Sequence, residues 1–452
     1  MVLTTPEDWL PVLTERLGKR QRVVSLGRSY VNGNAPLPEM GPNTKATWQA
    51  FQKKSRTNFG GIACQSHANR IRVQNVRVGS DDQSEASVAA RRIARDNRLA
   101  MQVSDAVWDM LTTRVGYLVA GVGDDGRALI TSEKPETFYA EPDPTRPWKS
   151  RAAVKVWRDS ILGLDFAEVL IPGARQTFTR KSMSDQGYVR NDFAGDWSPV
   201  GQVETFEGDP AVWILDRRDG MGLIEPHFDV IDRINLGKLQ RLSIAAIQAF
   251  RQRALKKDPG VVLPERDEAG NPIDWEKVFE PAPGALWDLP AGIDIWESQL
   301  GDVIRPLLDG EKADARDFAA VTGTPVSMLQ PDAANQSAGG AAATTAQQVD
   351  ACEADIGRIK LAAAACMVTA LRIEGVELGD ETVEVDFENP AWVTLAEKMD
   401  AYSKAIAAGM SAPMAQKTYL GWSQDQIDED DRHIRRSAAR SMFAAIPATV
   451  TS

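Results

Sequence analysis

Three long helical patterns in the second half of the chain constrain its fold more than any other feature. Residues 225–257 predict the first helix, and residues 302–321 predict the second, which ends at Gly323-Thr324-Pro325. A loop of small and polar residues, 330–344, precedes a third helix over residues 345–373. Long helices around a small-residue loop, with no catalytic motif among them, indicate a mechanical part or a conduit rather than a reaction centre.

The first of these predicted helices is long enough to need packing partners. Ile231, Ile234 and Leu239 recur at spacings close to helical, and Pro226 occupies the first turn, where its missing N–H costs nothing. At 1.5 Å per residue the helix would be roughly 45–50 Å long. Such a helix needs neighbours along its length, from this chain or from another copy of it.

Basic residues are distributed along the first helix and crowd its predicted C-terminal end. At that end they complement the helix dipole on a solvated face, or they contact phosphate at a narrow ring. The basic residues at that end are Arg251, Arg253, Lys256 and Lys257. The polar candidates of the helix as a whole are Arg233, Lys238, Arg241, Arg253, Lys256 and Lys257.

The insert between the first two helices, residues 258–301, is rich in proline and aromatic residues. An insert this small has little room to bury its large side chains by itself. They pack on one another or on the helices, or they form an interface with a subunit or partner, where such aromatics are enriched. The interface candidates are Trp275, Phe279, Trp287 and Trp296.

The loop at residues 330–344 contains almost no apolar bulk, and its composition is that of a flexible surface linker. A surface linker is the default interpretation, and the position of the loop between two long helices raises a functional role as the alternative. Gly339 and Gly340 are expected to break any helix. Thr344 or Thr345 can then cap the third helix.

The remainder of the chain predicts mixed secondary structure. Residues 1–224 read as an α+β domain. The predicted elements are a short helix at 9–17, a strand within 69–78, a helix at 85–97, an apolar segment at 107–122 that ends in a hairpin-like turn, and a strand meander at 152–157, 166–171 and 175–179. C-terminally, a strand is expected at 382–387, helices at 391–408, 412–420 and 423–443, and a frayed end at 446–452.

Composition narrows the class of protein. A chain of 452 residues exceeds one ordinary core, so two to four domains are expected. The 43% apolar and 25% charged content is that of a soluble globular protein. Three cysteines without metal-ligand spacing fit buried thiols in a reducing compartment. No signal peptide and no membrane span are predicted.

The net charge of −11 argues against a protein that clamps nucleic acid through a basic surface. It is compatible with a wall past which DNA slides without sticking. Mild acidity that only keeps the chain soluble explains the charge equally well.

The sequence contains none of the common catalytic motifs. There is no G-x-x-x-x-G-K-[ST], no G-x-S-x-G and no H-E-x-x-H, and the chain has only three histidines. Asp428-Glu429-Asp430-Asp431 resembles a metal-binding run, but neighbouring helical residues point about 100° apart and do not converge on one ion. Asp216, Asp219 and Gly220 form a turn rather than a calcium loop. We therefore predict no enzyme activity, no cofactor and no metal.

Several blocks in order resemble the portal proteins of tailed double-stranded-DNA bacteriophages, of the type found in siphophages of actinobacteria. Each block is weak alone, but the ordered set is specific. The chain differs from that family in two places. It has Ser29-Tyr30 where the family has paired aromatics, and its loop at 330–344 is longer and richer in alanine. The blocks are YVNGNAPLP at 30–38, AAVKVW at 152–157, DRIN at 232–235, QAFRQR at 248–253, PAPGALW at 281–287 and AAVTGTP at 319–325.

The resemblance implies an α+β portal subunit with a mixed α/β wing, long stem helices, a small clip and a helical C-terminal part. Carried onto this sequence, the loop contacts DNA through Gln330, Asp332, Asn335, Gln336, Ser337, Gly339, Gly340 and Thr344. The implied parts are the wing at 1–224, stem helix 1 at 225–257, the clip at 258–301, stem helix 2 at 302–325, the tunnel loop at 326–344, a long wing helix and strand at 345–395, and a helical wing or crown at 396–452.

The resemblance also implies partners and a location. The chain would form a ring, usually of twelve subunits, at one capsid vertex of the virion, after assembly in the host bacterial cytoplasm. Double-stranded DNA would pass through the channel. The other implied partners are the terminase large subunit, the major capsid protein and scaffold, and a head–tail adaptor.

Two other classes of function remain at this stage. The first is another structural protein of a virion, a capsid or tail component without a DNA channel. The second is a soluble hydrolase or nuclease, against which the absent motifs argue.

Overall fold

The structure is a computed structural model in which the chain divides into two compact units. One unit comprises Met1–Ala35, Asn58–Phe228 and Phe318–Ser452, and the other comprises Pro36–Thr57 and Asp229–Asp317. The residues described are 3–37, 46–81, 83–182, 193, 195–206, 208–249, 253–257, 265–266, 270–273, 293–297, 304–330, 338–391, 395–422 and 424–444.

Helices and strands both contribute substantially, so the predicted α+β class is confirmed. The helices are α1 Pro6–Val31, α2 Ala46–Lys54, α3 Phe59–Ala68, α4 Glu85–Asp96, α5 Leu99–Thr113, α6 Phe228–Ala249, α7 Ile304–Thr322, α8 Val326–Leu329, α9 Ala338–Ile373, α10 Leu395–Ala407, α11 Ala412–Ala415 and α12 Gln424–Ala444. The strands are β1 Val73–Val78, β2 Val115–Val122, β3 Ala128–Glu133, β4 Phe138–Pro142, β5 Ser150–Asp159, β6 Leu164–Ile171, β7 Ala174–Lys181, β8 Ser198–Thr205, β9 Val212–Asp216, β10 Arg253–Lys257, β11 Ile293–Glu297 and β12 Val383–Phe387. A 3-10 turn at Glu225–His227 precedes α6, and a π-helical turn at Gln416–Leu420 follows α11.

The larger unit is built on a five-stranded antiparallel sheet with strand order β4-β5-β6-β7-β8. Its strands include the predicted meander, which is confirmed. Helix α1 covers one face, where Leu13 and Leu17 are fully buried against Val154, Val169 and Phe178. Alternating apolar residues on β5 and β6 therefore supply one wall of this core.

Two smaller sheets complete the larger unit. Strands β3-β2-β9 form one, and β1 pairs with β12 in the other, with Val76 opposite Val385. The Arg77 guanidinium donates hydrogen bonds to Glu384 and Asp386 across this second pair. The pairing joins the N-terminal and C-terminal parts of the chain into one unit.

One sequence prediction in the larger unit was wrong in extent. Helix α1 begins at a capping box, in which the Thr5 hydroxyl accepts from the Asp8 N–H, but it continues to Val31 rather than ending near residue 17. Burial of Val24 and Tyr30 holds this extension. The apolar segment at 107–122 divides at Arg114, where φ is +81°, into the end of α5 and all of β2.

In the smaller unit, α6 and α7 contact each other through side chains, and β10 pairs antiparallel with β11. The Oδ1 atom of buried Asn235 accepts hydrogen bonds from the Thr57 N–H at 3.0 Å and the Thr57 hydroxyl at 3.1 Å. These bonds fix the end of the segment that contains α2 to the middle of α6.

The predicted helix over residues 225–257 is wrong at its C-terminal end. Helix α6 stops at Ala249, and Arg253–Lys257 is a strand whose Leu255 lies opposite Ile295. The strand partner is about 40 residues away in sequence, so local periodicity could not reveal it. At 1.5 Å per residue α6 is about 33 Å long, not the roughly 45–50 Å predicted.

Candidate functional site

The start of α6 is held by an ion pair within the larger unit. The Arg114 Nε atom donates to Glu225 Oε1 at 2.9 Å and to Oε2 at 2.8 Å, and the Gly222 N–H donates to Oε2 at 3.1 Å. Tyr30 stacks on Phe228 with ring centroids 3.9 Å apart. Arg114 makes this contact from a positive φ, a conformation that residues other than glycine rarely adopt.

The strain at Arg114 gives an unusual order of stability for two variants. Arg114→Ala and Arg114→Gly both lose the contact with Glu225, but only glycine relieves the positive φ. We expect both to be less stable than the wild type, and Arg114→Gly to be more stable than Arg114→Ala by about 1 kcal/mol. Urea unfolding of the three proteins measures this; an alanine variant as stable as the glycine variant would contradict it.

The end of α7 and the beginning of α9 are fixed to each other on the two sides of residues 331–337. Gly323 has a φ of +66° and ends α7, as predicted, and the Thr322 hydroxyl donates to the Phe318 carbonyl at 2.7 Å. The Gln347 amide of α9 donates to the Ala320 carbonyl at 3.3 Å. The described residues on the two sides of this segment therefore contact each other within the larger unit.

The three basic candidates on the described part of α6 lie beside carboxylates of α7. Arg233 Nε donates to Asp314 Oδ1 at 2.9 Å, and Arg233 Nη2 donates to Asp317 Oδ2 at 3.3 Å. Arg241 Nε donates to Glu311 Oε1 at 2.8 Å. Burial lowers the pKa of the Lys238 ammonium, an effect that the Glu311 carboxylate opposes.

The other three basic candidates, Arg253, Lys256 and Lys257, lie on β10 rather than on a helix. Their proposed role in complementing the dipole of α6 is therefore wrong, because α6 ends before them at Ala249. Among the clip candidates, Trp296 lies on β11, opposite Ala254. Trp275, Phe279 and Trp287 lie outside the described residues.

The loop prediction at 330–344 is wrong for its second half. Gly339, Gly340 and Thr344 lie inside α9, which begins at Ala338, so the glycines do not break the helix and Thr344 does not cap it. The alanines at 341–343 have the highest helix propensity and offset a cost of about 1 kcal/mol for each glycine. Gln330 follows α8, and Asp332, Asn335, Gln336 and Ser337 lie outside the described residues.

Sequence reasoning missed a buried polar cluster that anchors α9 to α3. The Gln348 amide donates to the Ser66 hydroxyl at 2.8 Å, and His67 Nδ1 lies 3.1 Å from the Ala63 carbonyl oxygen. Because that carbonyl only accepts, Nδ1 carries the proton and Nε2 does not. Burial lowers the pKa of His67 to about 4. The one signal in the sequence that could have indicated this cluster is weak. It is the helical spacing of Gln348, Cys352 and Asp355.

An open groove of about 1300 Å³ lies between the β1–β12 sheet and the C-terminal helices. It contains none of the residues that the sequence singled out. Its lining is mixed, with Arg77, Lys398 and Asp386 beside Phe387, Met414 and Leu420.

The predictions about cysteines and the acidic run fit the structure. Cys64, Cys352 and Cys366 are buried and free, and burial raises the pKa of each thiol. In α12, Asp428 accepts from Gln83, Asp430 accepts from Gln416, and Asp431 pairs with Arg435. The run therefore serves separate partners and does not converge on one ion.

Metal-binding and membrane-spanning features are both absent from the part of the chain that the structure describes. Its residues include no group of three or more His, Cys, Asp or Glu side chains placed to hold a metal. No helix among them is both long and apolar enough to cross a membrane.

Similarity to known proteins is confined to solved structures, since no family model and no curated protein matches the chain. Similar solved chains occur in the neck of an empty gene transfer agent particle computed with C6 symmetry, with 14% identity, a TM-score of 0.48, and 89% of this chain and 94% of that chain covered. Another occurs in the virion of a native gene transfer agent particle, with 13% identity, a TM-score of 0.45, and 88% of this chain and 99% of that chain covered. A third occurs in the neck of a native gene transfer agent particle computed with C12 symmetry, with 14% identity, a TM-score of 0.42, and 87% of this chain and 98% of that chain covered. Similarity at these levels does not by itself define a function.

Proposed function

We propose that this chain is a non-enzymatic, ring-forming structural protein of a tailed-phage-like particle. Within that class it is the portal: a channel at one capsid vertex, through which the terminase motor packages double-stranded DNA and through which the DNA later leaves. The ordered sequence blocks from residue 30 to residue 325 suggest the portal in particular.

One structural observation carries the proposal: α6 and α7 keep large apolar side chains exposed within the protomer, although Ile231, Ile234 and Leu239 of α6 and Phe318 and Ala319 of α7 are buried. Ala315 is the one buried residue of the described segment 304–317, and Leu236 and Leu308 are 41% and 37% exposed. Long helices of this kind normally pack against neighbours along their length. Neighbouring copies in a closed ring with heterologous contacts would supply them.

The parts of the portal follow from this proposal. Helices α6 and α7 are stem helices, and the chain between them, including β10 and β11, is the clip, which docks the terminase and later the head–tail adaptor. The chain between α8 and α9 projects toward DNA as the tunnel loop. A ring of twelve would carry a formal charge of about −130, which repels a passing polyanion rather than holding it.

The experiment that tests this function is native mass spectrometry of the purified full chain, followed by electron microscopy of assembled particles. We expect a closed ring of about twelve copies of 49.4 kDa, and one ring with an axial hole per particle. A stable monomer or dimer at micromolar concentration would contradict the proposal. Many copies spread over the shell would instead identify a capsid component.

A further inference from the structure

We infer that the carboxylates of α7 prevent the arginines of α6 from binding the phosphates of duplex DNA. This inference rests on the proposed function, because it concerns DNA that passes the stem. Three acidic residues of α7, Glu311, Asp314 and Asp317, are spaced three residues apart. They bind the two arginines of α6.

The contacts on Arg233 use the donors that would recognise phosphate. Its Nε and Nη2 atoms donate to Asp314 at 2.9 Å and to Asp317 at 3.3 Å. An arginine fork binds carboxylate and phosphate with the same geometry. A phosphate must therefore displace two carboxylates before it can form the corresponding pair of hydrogen bonds.

The exposure of these groups argues that the pairs are not chiefly a device for stability. The Arg233 side chain is 53% exposed and that of Asp317 is 67% exposed. Ion pairs at such exposed positions contribute little to folding. These pairs do affect an approaching phosphate, because the carboxylates already neutralise the Arg233 guanidinium that the phosphate would contact.

Arg241 repeats the arrangement further along α6. Its Nε atom donates to Glu311 Oε1 at 2.8 Å, and the Glu311 side chain is 12% exposed. Both arginines on the described part of α6 therefore have carboxylate partners on α7. Such pairing leaves neither arginine of α6 free to bind a phosphate, and DNA can move past them, since each phosphate contact would have to be broken at every step.

The test compares variants of the full chain in binding to a 30-base-pair duplex across a range of salt concentrations. Asp314→Asn/Asp317→Asn removes the partners of Arg233. Asp229→Asn/Asp309→Asn is the matched control, since it changes the net charge equally at two exposed helical positions for which no ion pair with Arg233 or Arg241 is observed.

For Asp314→Asn/Asp317→Asn we expect at least tenfold tighter binding at low salt. The slope of log affinity against log salt should steepen by about 0.9 for each further phosphate that the protein neutralises. The control should retain the wild-type slope. Adding Arg233→Gln to the first variant should restore the wild-type slope. Equal slopes in the two double variants, or no reversal by Arg233→Gln, would overturn the inference.

Native mass spectrometry of the same proteins separates this inference from the proposed function. If the wild type forms no ring, the proposed function fails, while the slope comparison still decides whether the carboxylates block phosphate binding. If Asp314→Asn/Asp317→Asn alone loses the wild-type assembly, the ion pairs serve assembly, and the inference is overturned.

Discussion

Gly116→Ala is expected to destabilise the larger unit by about 3 kcal/mol, at the upper end of the range for overpacked cores. A Cβ atom on Gly116 would lie 1.9 Å from the Ala106 carbonyl oxygen and 2.7 Å from its carbonyl carbon. Both are backbone atoms of α5, so no side-chain rotation relieves the overlap. The helix would have to move away from β2 across a buried contact that includes Val107 and Leu118.

The same strand offers a matched control in Gly121→Ala. A Cβ atom at Gly121 would meet no atom within 4 Å, and its φ is not in the positive range. That variant should be neutral or slightly stabilising, because alanine loses less backbone entropy on folding. Thermal unfolding of both variants measures the effect, with a fall of about 4 °C in the melting temperature expected for Gly116→Ala in a unit of this size. Equal melting temperatures for the two variants would show that α5 and β2 do not approach each other so closely.

His67 is expected to make the protein about 3 kcal/mol less stable at pH 4 than at pH 7. Burial lowers the pKa of His67 to about 4, against 6.5 for an ordinary histidine; the hydrogen bond to Ala63 opposes this shift, and the nearby charges of Arg217 and Arg70 add to it. Between these values the unfolded chain takes up a proton that the folded chain does not. The free energy of unfolding therefore falls as the pH drops from about 6.5 to about 4, and it is constant above that window as far as His67 is concerned.

His67→Asn should remove this part of the pH dependence while keeping a donor for the Ala63 carbonyl. Burial raises the pKa of Asp109 to about 6, so Asp109 contributes stability below about 4 that is lost as the pH rises through 6. The difference between wild type and variant, measured by urea unfolding from pH 4 to pH 8, isolates His67 from such opposing groups. His433→Asn, at an exposed histidine, is the control. A difference that does not change with pH would contradict the prediction.

Local patterns predicted the regular elements of the larger unit well. Alternating apolar residues located the strands β5, β6 and β7, and Val383, Val385 and Phe387 located β12. The pattern could not show that β12 pairs with β1, because the partner lies about 300 residues away. Pairing at that distance depends on the packing of α4 and α9 against the two strands.

The candidate site was predicted less completely than the fold. The sequence singled out Arg233 and Arg241 only as polar candidates of the first long helix. Their carboxylate partners on α7 were visible in the sequence, but nothing in the spacing indicated which face of α7 would meet α6. The buried cluster at His67 and Gln348 was missed, because a single histidine in an apolar helix gives no signal of what it contacts.

Periodicity and composition by themselves determined that the chain is α+β and that α7 ends at Gly323. These features depend on interactions within a few residues, such as capping, turn formation and amphipathic spacing. The tertiary structure alone decided that α6 gives way to the strand β10, that α9 starts at Ala338, and that the arginines of α6 bind acids of α7. Each of these depends on a partner distant in sequence, whose contribution local propensity does not contain.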